Sequence, residues 1–226
     1  MSSMSVSENL SLIQDTIKQA CKRANRNVEE ITIIGVTKYV TIERTKELIA
    51  AGITNIGENR TDEMLHKYEQ IEEDANWHFI GTLQSRKVKD IIGKVSTIHS
   101  LERLSVAKQI NNRSAVPIDC FVQVNVSGEE TKHGLNPNEV IPFIKDLKQF
   151  DKVRVTGLMT MAPHVDDEGE IRAVFQRLAT LRDQVMEQQF SHAPCTNLSM
   201  GMSNDYEIAI EEGATHIRIG SKLVGS

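Results

Sequence analysis

The chain has 226 residues, 39% of them hydrophobic, enough for one sizeable core, so a single domain over 1–226 is expected. With 26 basic against 31 acidic residues, a net charge of −5 and 4% aromatics, it lacks the basic, aromatic-interleaved blocks of a general nucleic-acid binder. The N-terminal MSSMSVSENLSLIQDTIKQACKRANR has neither the basic start nor the continuous apolar run of a signal peptide, and no later run reaches membrane-spanning length. A cytoplasmic protein with no membrane or nucleic-acid partner is the expectation.

Chemistry-bearing residues that are easy to spot do not cluster. Cys21, Cys120 and Cys195 lie far apart without a CxxC, and the seven histidines show no HxxxH spacing, so neither a disulfide framework nor a metal site is predicted.

In chain order, an amphipathic helix is predicted from about Glu8 to Ala24, after which short apolar runs alternate with helical patterns. The runs are ITIIGVTK, ITNIGEN, WHFIG, VSTIHS, IDCFVQVNV, VRVTGLMT, TNLSMG and THIRIG. Between them lie IERTKELIAAG, TDEMLHKYEQIEE, SRKVKDIIG, LERLSVAKQINNR, PNEVIPFIKDLKQF, EGEIRAVFQRLATLRDQVMEQQ and NDYEIAIEEG. Asn136-Pro137 marks one helix start, while Gly52, Gly93 and Gly213 follow helix ends. Eight strands with crossover helices, in a chain slightly shorter than the usual ~250 residues, predict a (β/α)8 barrel with an extra N-terminal helix. The alternative is an open doubly wound sheet. Against it, no GxGxxG follows the first strand, and the opening helix has a natural place closing the barrel ring where the last helix is missing.

Barrel sites are built at the C-terminal ends of strands. The first strand runs into Lys38, an odd place for a hydrated ammonium group; a desolvated lysine readily becomes a neutral nucleophile toward aldehydes, whereas a strand-end lysine can also simply snorkel into water. The second strand ends in GENR, Gly57 to Arg60, and the third in IGTLQSRK, Ile80 to Lys87. The seventh leads into SMGMSND, with glycine, serine and asparagine at the entry to a helix, and the eighth into RIGS, with Gly220 and Ser221 directly after the strand; both suit an anion such as phosphate. Ordinary capping by Asn204 with Glu207 is the competing explanation. A mouth lysine opposite a phosphate cradle fits a phosphorylated aldehyde: a sugar phosphate, or pyridoxal phosphate as a cofactor. In THIRIG, alternation puts His216 and Arg218 on one face and Ile217 and Ile219 on the other, leaving open which pair lines the barrel. An inward Arg218 would partner the pyridine nitrogen of pyridoxal phosphate; an Arg218 paired to a carboxylate such as Glu58 is the alternative.

Taken together, GVTKYV, GENR, WHFIGTLQSRK, SLERL, VNVSGEETKHG, GLMTMAP, LSMGMSNDYEIAI and THIRIGSKLVG resemble the pyridoxal phosphate homeostasis proteins, the YggS-like family also called proline synthetase co-transcribed homologues, over nearly the whole chain. The resemblance implies a fold type III barrel like the N-terminal half of alanine racemase, with pyridoxal 5′-phosphate held as a Schiff base on Lys38. It also implies Asn59 near the cofactor ring, Arg218 near the ring nitrogen, Ser203, Gly220 and Ser221 at the phosphate, and Met200 close by in the loop after the seventh strand. Two departures stand out: many members carry lysine-x-lysine-proline where this chain has Lys38-Tyr39-Val40, and some have histidine at Thr82.

A racemase must deliver protons to both faces of a substrate carbon, and Lys38 supplies only one. The racemases that resemble this barrel carry a further β-domain and a partner's tyrosine. An Arg218 guanidinium would also disfavour protonation of the ring nitrogen. The expectation is therefore a monomeric carrier or regulator in vitamin B6 homeostasis, with pyridoxal phosphate-dependent apoenzymes as partners. A weak amino-acid racemase, a sugar-phosphate aldolase and an interaction module are the alternatives.

Overall fold

Ser5 opens the computed structural model, which describes residues 5–225, by capping α1 (Val6–Arg23). Its hydroxyl accepts from the Glu8 N–H while the Glu8 carboxylate accepts from the Ser5 N–H at 2.7 Å. Val6, Leu10, Ile13, Ile17 and Ala20 recur at helical spacing and form its buried face. The chain then alternates through β1 (Thr32–Val36), α2 (Ile42–Ala50), β2 (Asn55–Glu58), α3 (Thr61–Ile71), β3 (Asn76–Phe79), α4 (Val88–Ile91), β4 (Thr97–Leu101) and α5 (Leu104–Arg113). It continues with β5 (Ile118–Gln123), α6 (Val140–Asp146), β6 (Val153–Met159), α7 (Glu168–Glu187), β7 (Asn197–Met202), α8 (Tyr206–Glu211), β8 (His216–Ile219) and α9 (Ser221–Val224).

All neighbouring strands pair in parallel, and β1 pairs with β8, Thr32 opposite His216, so the sheet closes into a barrel in sequence order. Each predicted apolar run supplies one strand. The open-sheet alternative is excluded by that last pairing. The helix that follows β8, α9, has four residues, and α1 packs against α8, α9 and α2 to complete the helical ring. Asn9 Nδ2 donates to the Leu223 carbonyl, which ties α1 to α9, and Arg26 Nη1, just past α1, donates to those of Ile210 and Ala214 at the end of α8 and beyond it.

Some helices are shorter than their patterns suggest. SRKVKDIIG forms a 3-10 turn at Ser85–Lys87 and one helical turn, and Asn136-Pro137 opens a 3-10 turn ahead of α6. Between sheet and helices lies a continuous apolar layer including Leu48, Met64, Ile110, Phe175 and Ile217. Among the described residues, no helix is long and apolar enough to cross a membrane.

Candidate functional site

Lys38 follows β1 in a tight turn closed by the Val40 N–H donating to the Thr37 carbonyl at 3.2 Å. Tyr39, 81% exposed, takes the left-handed conformation at φ 67° that lets the chain reverse there. Lys38 itself is exposed and faces a cavity at the barrel mouth, so it is not the desolvated lysine that the run into it suggested. The buried lysine is Lys67 on α3, 2% exposed, whose Nζ donates to Glu58 Oε1 at 2.6 Å and to the Thr37 carbonyl. The Thr37 hydroxyl also donates to Glu58 Oε1. Strand ends β1 and β2 are thereby pinned immediately behind Lys38. Glu58 is engaged there and does not pair with Arg218.

The mouth cavity has a volume of about 620 Å³ and is lined by Lys38, Asn59, Ser203, Arg218, Gly220 and Ser221. Six of the seven residues singled out from the sequence are thus brought together. Met200 is not: it lies within β7 rather than in the following loop, and its side chain is fully buried in the apolar layer outside the barrel. Met202 reaches the cavity in its place, because the pairing of β7 with β8 shifts register between Ser199 and Met202. Gln123, His133, His164 and Asp205 complete walls that strand-end reading had not assigned. A second cavity, about 500 Å³, lies against the outer side of α7 at Val126, Pro137, Gln176 and Thr180, and holds none of the predicted residues.

The wall formed by β7 and β8 depends on Gly201. It sits at φ +95°, and a Cβ there would stand 2.6 Å from that of Ala209, so only glycine lets this loop rest on α8. The loop then turns back through Met202 N–H donating to Asp205 Oδ1, and Ser203 Oγ accepts from the Gly220 N–H at 3.3 Å. Asp205, not Asn204, precedes α8, and Glu207 pairs with Arg23 on α1, so the N-x-x-E capping arrangement is not formed. Burial raises the Asp205 carboxyl pKa, against the opposing effects of the Met202 N–H and Arg218.

Arg218 and His216 are the pair that point into the barrel, while Ile217 and Ile219 join the outer apolar layer. The Arg218 guanidinium donates to Ser199 Oγ and to the Thr160 carbonyl at 3.0 Å; burial brings its pKa down to about 10. Below it, the His99 ring stacks on Phe121 with centroids 4.4 Å apart, and Phe121 meets His216 edge-on. His78 and His99 bond to each other. Burial lowers the pKa values of His78 and His216 to about 3 and about 4, and that of His99 well below the usual imidazole value. Motif spacing missed His78 and His99, although period-two alternation in WHFIG and VSTIHS is the signal that aims them inward, as it does His216 in THIRIG.

The site thus combines a primary amine on one wall, hydroxyl and backbone donors on the adjoining wall and a fixed cation between them. A cavity of this size and donor set suits a small phosphorylated carbonyl compound.

Residues 9–226 match the family described as "Alanine racemase, N-terminal domain". The chain is 41% identical over 226 residues to the pyridoxal phosphate homeostasis protein of Aquifex aeolicus (strain VF5), covering 98% of each chain. Among solved structures it is similar to PipY of Synechococcus elongatus PCC7942 with PLP bound, at 28% identity and a TM-score of 0.84, over 97% of this chain and 100% of that one. An alanine racemase of Clostridium difficile 630 shares the fold at 18% identity and a TM-score of 0.76, over 96% of this chain and 56% of the racemase.

Proposed function

The chain belongs to the pyridoxal phosphate homeostasis protein family, and from that premise we propose that its barrel mouth binds pyridoxal 5′-phosphate and that the protein acts as a carrier or regulator of this cofactor. The observation that carries the reading is the convergence of Lys38, Asn59, Ser203, Arg218, Gly220 and Ser221 on one cavity. When bound, pyridoxal phosphate supplies an electrophilic aldehyde on a ring able to delocalise charge.

Lys38 is the amine to which that aldehyde would attach, and its exposed position leaves it open to an incoming or departing ligand. Ser203, Ser221 and the backbone around Gly220 would hold the phosphate. The Gly201 turn fits this role, because it packs the loop onto α8 and so sets Ser203 beside Gly220. Asn59 and Arg218 would flank the ring.

With pyridoxal phosphate bound, Arg218 beside the ring would disfavour a second positive charge there, which would make the ring a weaker electron sink and favour holding over turnover. Among the described residues no tyrosine lines the cavity to serve as a proton donor opposite Lys38. We read the chain as one cofactor-binding domain, monomeric and cytoplasmic, with pyridoxal phosphate-dependent apoenzymes as recipients.

The test is an absorption spectrum of the purified protein before and after borohydride reduction, followed by peptide mapping. A visible band that reduction fixes onto Lys38, and that Lys38→Ala lacks, is the expected result. A colourless protein that takes up no added pyridoxal phosphate would overturn the binding reading. Racemisation of an amino acid at a substantial rate, abolished in Lys38→Ala, would replace the carrier with an enzyme.

A further inference from the structure

Barrels of this type are ordinarily filled with layers of branched apolar side chains. Here a continuous line of polar side chains crosses the interior from floor to mouth. Asn55 Oδ1 lies 3.0 Å from His78 Nε2, His78 Nδ1 lies 2.9 Å from His99 Nε2, and His99 Nδ1 lies 2.8 Å from Ser199 Oγ. Arg218 Nη1 lies 2.5 Å from Ser199 Oγ.

The direction of every proton follows from the mouth end. A guanidinium only donates, so Ser199 Oγ accepts from Arg218 and has its own proton left to give. His99 Nδ1 takes that proton as acceptor, which places the hydrogen of a neutral His99 on Nε2, donating to His78 Nδ1. His78 in turn donates from Nε2 to Asn55 Oδ1. Run the other way, the line would leave the Ser199 proton without an acceptor and set a lone pair of His78 against the Asn55 oxygen. Turning the Asn55 amide over would repair the floor end but not Ser199.

We propose that Ser199, His99, His78 and Asn55 are positioning residues for Arg218, a one-directional chain that holds the guanidinium at the cavity wall. The proposal rests on the reading that Arg218 flanks a bound pyridoxal phosphate ring. The chain matters because a stronger partner is within the same cavity: a carboxylate outcompetes a serine hydroxyl for a guanidinium, and Asp205 lines that space. Yet among the described residues Arg218 makes no ion pair with Asp205; its partners are Ser199 and the Thr160 carbonyl. Aligned hydrogen bonds polarise one another, and the stack of His99 on Phe121 fixes the ring through which the alignment passes. Cutting the line frees Arg218 to turn toward Asp205 and away from the ring.

The first test uses the cofactor-free wild type: long-range proton–nitrogen correlation of nitrogen-15-labelled imidazoles at pH 7. Both His78 and His99 are expected as neutral rings with the hydrogen on Nε2. A hydrogen on Nδ1 of either ring, or a charged ring, overturns the chain whether or not any variant folds. The second test compares Ser199→Ala with the hydroxyl-retaining Ser199→Thr. Ser199→Ala should bind pyridoxal phosphate about tenfold more weakly and shift the pH midpoint of its visible band, while Ser199→Thr keeps the wild-type midpoint. An unchanged midpoint in a folded Ser199→Ala protein overturns the positioning role. A wild type with the expected tautomers that binds no pyridoxal phosphate would overturn the functional reading alone; one that binds it with the opposite tautomers would overturn the chain alone.

Discussion

Lys67 is a charged residue on the buried face of a helix, and its removal tests how the mouth is held. Its ammonium group meets Glu58 and the Thr37 carbonyl in a space from which water is excluded, and Glu58 Oε2 has no partner of its own. Lys67→Met would leave the Glu58 carboxylate uncompensated, so it should lower unfolding free energy by about 3–5 kcal/mol in urea titration. Glu58→Gln combined with Lys67→Met removes both charges and should recover a large part of that loss; a double variant no better than the single would show that packing, not the stranded charge, accounts for the effect. The single variant also releases Thr37, so borohydride labelling of Lys38 should fall with it. At this scale the sequence was half legible. Lys38 stands out in GVTK by its place after an apolar run, but solvation depends on neighbours that the run does not contain. Lys67 was visible by another route, sharing the spacing of Met64 and Ile71 on the apolar stripe of α3. Met200 was misplaced because a register shift in β7 is a backbone event without a side-chain signature.

Gly201 and Gly213 separate two reasons for using glycine in elements that support the site. Both have left-handed φ, +95° and +104°, but a Cβ at Gly201 meets Ala209 at 2.6 Å whereas the nearest atom at Gly213 is 3.7 Å away. Gly213→Ala carries only the conformational penalty, about 1–2 kcal/mol, while Gly201→Ala adds overpacking of about 1–3 kcal/mol. Thermal unfolding of the two variants should therefore differ, and only Gly201→Ala should weaken anion binding, because it lifts the Ser203 loop off α8. Equal effects would remove the case for close packing there. Element by element, the eight strands were readable because each is a short apolar run bounded by a helix of opposite periodicity. The helices α4 and α8 are shorter than their patterns, which run on into the 3-10 turn at Ser85–Lys87 and into the loops flanking α8.

For the molecule as a whole, the polar line through the barrel sets an acid limit. His78 and His99 are buried and His216 half-buried, all three neutral, and burial is the first cause of each lowered pKa. Above an unperturbed pKa of about 6.5 these residues are neutral in folded and unfolded chains alike and contribute nothing to pH dependence. Below it the unfolded chain binds protons that the folded barrel refuses, so stability falls as pH drops. Each histidine then contributes a loss of about 1.4 kcal/mol per pH unit. By one unit below 6.5 the three together have removed about 4 kcal/mol relative to the plateau, against a usual total of about 5–15 kcal/mol. The slope should ease only near pH 4, where His216 begins to protonate inside the barrel. Urea titrations of the cofactor-free protein from pH 8 to pH 5 should thus give a plateau above about pH 7 and a steep decline below it. In His99→Phe the decline should be shallower by one histidine's share, because the unfolded variant has one fewer site to protonate. A wild-type profile flat to pH 5 would mean that the imidazoles take up protons in place, and the one-directional line to Arg218 would then break as the pH falls through about 6.5. The side chains that orient the mouth therefore also limit how acidic a medium the fold withstands.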